Sequence, residues 1–192
     1  LLLCACATVT SPHVESVPTR PVSMGGAELS YAVWTPPDFS ESERLPLVVF
    51  LHGGGDEPMT FAEHGLDQRF AAATAAGEIP RVVMVFPQGD DGFWANWYDG
   101  TRRYEDWIVE ELVPEVRERW HTQDCPEGCH VMGVSMGGYG ALRMALHRRG
   151  FFSSTTALSA PIFNTERMRE LADNRLYALF IPTHRIFGPG TS

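Results

Sequence analysis

The feature that most constrains this chain is the stretch from Val131 to Leu146. There a strand-like apolar run (Val131, Met132, Val134) meets a helix-like run (Gly137, Gly138, Gly140, Ala141, Leu142, Met144, Ala145, Leu146) at one residue, Ser135. A strand that reverses into a helix within a single residue strains the backbone there, and Gly133 and Gly137 on either side relieve the crowding. Such a join lies at the carboxyl edge of a sheet and pushes its side chain out of it. The pattern Gly133-Val134-Ser135-Met136-Gly137 therefore sets up a serine as an acyl-transfer nucleophile. The plainer alternative is a glycine-rich turn with an incidental hydroxyl.

A second segment stands upstream. Leu47 to Leu51 is an uninterrupted apolar run after Pro46, suited to a central parallel strand buried on both faces. It delivers His52-Gly53-Gly54-Gly55 at its carboxyl end, where glycines leave backbone N–H groups uncovered. Donors of that kind, together with the N–H that follows a nucleophile, hold the oxyanion of a tetrahedral intermediate. Taken singly, His-Gly reads as a strand-to-loop turn. Its order and distance upstream of Ser135 point to a serine-hydrolase type of scaffold.

With both motifs placed, the chain resembles the putative-esterase branch of the α/β-hydrolases, which includes S-formylglutathione hydrolase, feruloyl and tributyrin esterases and the antigen 85 mycolyltransferases. The resemblance runs from about Val22 to Gly188. Its specific part is Gly133 to Ala141; Leu51-His52-Gly53-Gly54, Phe86-Pro87-Gln88-Gly89, Glu111-Leu112-Val113-Pro114 and Leu158-Ser159-Ala160 also fall where such esterases carry similar segments. The resemblance implies Gly54 and Met136 as the oxyanion-hole donors. It also implies two further strands carrying an acid and then a histidine, so the expected architecture is an α/β-hydrolase fold lacking its last strands.

The 192 residues, 44% of them hydrophobic, suffice for one domain with a real core and not for two. A net charge of −9 argues against a nucleic-acid partner, whose phosphates call for a basic face. No cofactor and no metal is called for by any motif.

Residues 1–7, Leu-Leu-Leu-Cys-Ala-Cys-Ala, read as the end of a signal or lipoprotein segment. Leu3-Cys4-Ala5-Cys6 resembles a lipobox with Cys6 as a lipidated amino terminus and membrane attachment through it; Ala5-Cys6-Ala7 equally fits ordinary signal-peptidase cleavage. Both imply export to the periplasm or the extracellular space, whereas an arbitrary apolar start implies nothing. Residues 8–21, rich in Ser, Thr and Pro, read as a linker, and 22–192 as the hydrolase domain. In an exported protein Cys125 and Cys129, separated by Pro-Glu-Gly, suggest a small-loop disulfide. A zinc site would need two more ligands, and His121 and His130 give no recognised spacing.

The remaining chain alternates strands and helices. Val22 to Met24 and Leu29 to Trp34 read as an opening hairpin, Phe61 to Ala76 as a helix, Arg81 to Phe86 as a buried strand, Phe152 to Ser159 as a sixth strand and Asn164 to Ile181 as a helix. Tyr104 to Trp120 places Tyr104, Trp107, Ile108, Leu112, Val116 and Trp120 on one helical face with its acids mostly opposite; Pro114 must kink it or mark a turn. The sum is a three-layer αβα sandwich with a mostly parallel sheet. The loop Asp90 to Asp99 follows a strand at the edge that carries Ser135. Its Trp94 and Trp97 either line an acyl or alcohol pocket or pin the loop to the core. Asp90, Asp91 and Asp99 match no known calcium loop.

These residues point to a serine carboxylic-ester hydrolase acting through an acyl-enzyme on Ser135, with a small-molecule or polymer-linked ester as partner. A triad acid and histidine are absent downstream of Ser135, so the chain as given is expected to be inactive. His147 belongs to the helix behind the nucleophile, His184 to a later segment, and His52 braces the glycine loop. The alternatives are a non-catalytic remnant that binds ligands at the same pocket, and a peptidase or acyltransferase on the same fold.

Overall fold

The computed structural model describes residues 14–162, 166, 170 and 181–188. Among them one six-stranded sheet is built from β1 (Val14–Thr19), β2 (Leu29–Trp34), β3 (Leu47–Leu51), β4 (Val83–Pro87), β5 (Cys129–Val134) and β6 (Ser154–Leu158), in the order β1-β2-β4-β3-β5-β6. β1, β2 and β4 pair antiparallel; β4, β3, β5 and β6 are parallel. The register sets Leu51 opposite Gly133, so β3 and β5 deliver His52 and Ser135 side by side at one edge.

Strand periodicity sorts the core into two halves. Tyr31, Val33, Val49, Leu51, Val85 and Val131 point to one face and Ala32, Trp34, Met84 and Phe86 to the other. The second face is covered by α1 (Thr60–Glu63) and α2 (Leu66–Ala75) through Phe61 and Ala71. The first is covered by α3 (Tyr104–Asp106), which continues through a π-helical stretch (Trp107–Leu112) into α4 (Val113–Arg119), and by α5 (Met136–His147). A short α6 (Thr183–Phe187) adds Ile186. The expected three-layer, mostly parallel sandwich is the observed one.

Several local expectations need correction. The hairpin partner of β2 is not Val22–Met24, which forms a 3₁₀ turn closed by Gly25 at φ 65°, but Val14–Thr19, part of the segment read as linker. Val17 is buried there, and Pro18 is tolerated because β1 is an edge strand. The helix read over Phe61 to Ala76 is broken in two at Gly65, whose φ of 69° no helix interior adopts. In the Tyr104 to Trp120 segment, the wider π turns end at Leu112, and Pro114, which lacks the N–H an α-helix interior would need, falls in the first turn of α4. Its apolar face is buried as expected, but Glu105 and Asp106 are buried too, each 2% exposed. Residues 1–13, with Cys6, and most of the helix read over Asn164 to Ile181 lie outside the described residues.

Candidate active site

Ser135 is the single residue between β5 and α5, and its backbone sits at φ 53°, ψ −118°. A non-glycine residue in that region costs about 1–3 kcal/mol and persists only where its surroundings enforce it. They do: its N–H donates to Leu158 of β6 at 2.8 Å, and its carbonyl accepts the Tyr139 N–H at 3.0 Å as α5 begins. The side chain is exposed.

Glycine is required around this join by backbone contact. A Cβ on Gly137 would collide with the carbonyl of Leu51, and one on Gly133 with the backbone of Gly137. The start of α5 thus packs directly on the ends of β3 and β5. The consequence is proximity: a Cβ on Gly53 would lie 3.7 Å from that of Ser135.

The His52–Gly55 loop is held from three sides. His52 is 5% exposed; its Nε2 accepts the Gly89 N–H at 2.9 Å, so Nδ1 carries the ring proton and meets the Gly53 carbonyl at 2.7 Å. Both ring nitrogens are used, which leaves His52 as a brace with no lone pair for a proton from serine. The Trp94 indole N–H donates to the His52 carbonyl at 3.2 Å. Asp91 accepts the Gly55 N–H at 3.1 Å. Within the described residues the N–H of Gly54 has no hydrogen-bond partner, and that of Met136, first in α5, has none in its own helix.

Trp94 is fully buried, against Gly89, Gly140, His52 and Tyr104. It pins its loop to the core and cannot line an open pocket, which corrects that half of the expectation. Trp97 is half-buried: its indole N–H donates to the Gly92 carbonyl at 3.2 Å and Arg185 lies over its ring at 4.9 Å. The loop acids are engaged separately, Asp90 with Gln88 and Tyr104, Asp99 with Thr101 and Arg185. Burial, followed by the charge and hydrogen bond of Asp90, pushes the Tyr104 phenol above its ordinary range. Cys125 and Cys129 are joined by a disulfide, their Cα atoms 5.0 Å apart, at the start of β5.

Sequence reasoning missed the clamp behind α5. Arg143 and Arg148 of that helix region pair with the buried Glu105, and Arg148 also pairs with the buried Asp106. His147 meets Glu105 at 3.3 Å, facing away from the site. Charges taken from water hold only when paired and hydrogen-bonded, and this cluster meets that condition. Nothing local distinguishes Glu105 from an exposed helix acid; its partners lie about forty residues downstream. His184 is exposed on α6. Among the described residues no imidazole is hydrogen-bonded to the Ser135 hydroxyl.

A strained serine between strand and helix, beside a glycine loop at the end of the neighbouring strand of a sheet in this order, defines an α/β-hydrolase fold. Solved structures agree: the fluorophosphonate-binding serine hydrolase F of Staphylococcus aureus, solved with substrate bound, matches with a TM-score of 0.73 at 22% identity, over 93% of this chain and 67% of its own. The chain belongs to the Esterase family, described as "Putative esterase", whose model matches residues 23–177. It is 31% identical over 139 residues to an esterase of Mycobacterium tuberculosis, covering 67% of this chain and 28% of that protein. It is 28% identical over 159 residues to S-formylglutathione hydrolase of Arabidopsis thaliana, covering 72% of this chain and 54% of that protein. The chain therefore spans about half or less of the length of these relatives.

Proposed function

We propose that this protein is a serine carboxylic-ester hydrolase that works through an acyl-enzyme on Ser135. The observation that carries the reading is the left-handed backbone of Ser135 at the strand-to-helix join, which sets an exposed hydroxyl next to the Gly53–Gly54 loop. In this mechanism Ser135 Oγ gives its proton to a base as it attacks the ester carbonyl carbon. The carbonyl oxygen takes the negative charge and accepts hydrogen bonds from the Gly54 and Met136 N–H groups. Collapse of the tetrahedral intermediate breaks the bond to the alcohol, which leaves with a proton, and water then releases the acid by the same steps. Family membership supports the reading. The base and its acid partner are proposed to follow Ser135 in chain order, as in other α/β-hydrolases, since both nitrogens of His52 are occupied.

The test is labelling of the full-length natural protein by a fluorophosphonate probe, with p-nitrophenyl acetate hydrolysis measured alongside. Both are expected, and both vanish in Ser135→Ala. Equal turnover in that variant would overturn the assignment. A second reading, a ligand-binding protein without turnover, is favoured by one observation: no described imidazole contacts Ser135. It predicts probe labelling no faster than that of free serine. Export, with Cys6 as lipid anchor, is proposed on the Leu1–Ala7 segment and the Cys125–Cys129 pair. Metabolic labelling with a fatty acid, lost in Cys6→Ala, tests it.

A further inference from the structure

A cavity of about 290 Å³ opens beside the candidate nucleophile on the α1 side of the sheet. Its walls are Phe50 and Phe86 from β3 and β4, Phe61 and Leu66 from α1 and α2, and Val134, the residue before Ser135. The wall is rigid: Phe61 stacks on Phe86 with ring centroids 3.6 Å apart and planes 3° from parallel, and Phe50 lies 5.3 Å from Phe86. Asp56, Glu57 and His64 line the same cavity, with Glu57 and His64 exposed and Asp56 half-buried, so the polar groups form its rim. The rim lies close to Ser135. Asp56 Oδ2 and the Ser135 Cβ both lie within 4 Å of the point that a Cβ on Gly53 would occupy.

We propose that this cavity is a substrate subsite that takes an uncharged apolar group of the ester, and that Asp56 and Glu57 exclude groups carrying negative charge. The inference rests on the esterase reading of Ser135 and adds the substrate class. The volume sits at the small end of ligand pockets, roughly 300–1,000 Å³, so it suits a single ring or a short branched chain. The stacked phenylalanines offer such a group a flat apolar wall. An anion entering past Asp56 meets like charge where the cavity wall limits solvation, and the protein's net charge of −9 adds to that repulsion at longer range. Among the described residues no ion pair involves Asp56 or Glu57. If the leaving group is the part that enters the cavity, thioesters of the anionic peptide glutathione are poor substrates, in contrast to the activity named for the Arabidopsis relative.

Whether the group in the cavity is the acyl or the alcohol part is read from two matched pairs. One is p-nitrophenyl butyrate against p-nitrophenyl hemisuccinate; the other is phenyl acetate against 4-acetoxybenzoate. In the full-length protein at one pH, with His64 in place, the pair whose variable group enters the cavity shows about tenfold or greater preference in kcat/KM for its neutral member. The double variant D56N/E57Q, which keeps shape and removes charge, shrinks that preference to about threefold or less by raising turnover of the anionic member. Raising salt from about 0.05 to about 1 M narrows it in the same direction. A response in either pair supports the subsite and names its side of the ester. Two pairs that show no preference, or a preference that D56N/E57Q leaves intact, overturn it. Loss of Ser135-dependent hydrolysis of p-nitrophenyl acetate is a separate result that overturns the esterase reading and this inference with it.

Discussion

The indole nitrogen of Trp94 donates to the carbonyl oxygen of His52 at 3.2 Å, tying a fully buried side chain to the loop that carries Gly54. That bond fixes the peptide that opens the His52–Gly55 loop, and the indole fills the space over Gly89 and Gly140. Trp94→Phe removes the donor and part of the volume. The expected cost is about 2 kcal/mol in stability, with kcat for p-nitrophenyl acetate falling about tenfold and KM changing little, because the loosened loop is needed in the transition state. Thermal melts and steady-state kinetics check this; unaltered kcat would detach the loop from catalysis.

Replacing Ser135 separates strain from chemistry. Alanine keeps the unfavourable φ of 53°, whereas glycine adopts it freely. Both variants lose labelling and turnover under the esterase reading, but Ser135→Gly is expected to exceed Ser135→Ala in stability by about 1 kcal/mol, a Tm difference of roughly 2–4 °C. Identical melting temperatures would mean the join is not strained in solution.

The bond between Cys125 and Cys129 closes a short loop directly before β5. Its reduction is expected to lower stability by about 2 kcal/mol, most of it through the freedom returned to the unfolded chain. Mass spectrometry of alkylated, non-reduced peptides from the purified protein reports whether the bond is present. Two alkylated thiols would refute it.

Glu111, in the π-helical stretch, caps the 3₁₀ turn by accepting the N–H groups of Val22 and Ser23, each at 2.8 Å, and the Ser23 hydroxyl. Burial raises its carboxyl pKa, but the bonds from Ser23 and Val22 outweigh that and hold it below its ordinary 4.5. The unfolded chain then binds more protons than the folded one as pH falls below that value. The stability Glu111 contributes is fully present above it and is lost as pH drops through the folded pKa. Wild-type Tm should fall more steeply between about pH 5 and pH 3 than that of Glu111→Gln. Parallel curves would contradict the assignment.

Much of this protein was determined by local sequence. The Gly133–Gly137 pattern, the apolar run Leu47 to Leu51 and the following glycines report strand, join and loop within a few residues, because each depends on backbone conformation and on which side chains a buried strand accepts. Burial of Tyr104, Trp107, Ile108 and Leu112 was equally legible, since helical periodicity is a local property. The tertiary structure decided what depends on partners far along the chain. Val14–Thr19 is a strand only because β2 offers it an edge, and Trp94 is core only because Gly89 and Gly140 leave room for its ring. Glu105 is buried only because Arg143 and Arg148 meet it, and His52 is a brace only because Gly89 occupies its Nε2. A residue's type limits the contacts it can make; the fold alone determines which of them it makes, because the cost of burying a polar or bulky group is set by what stands opposite it.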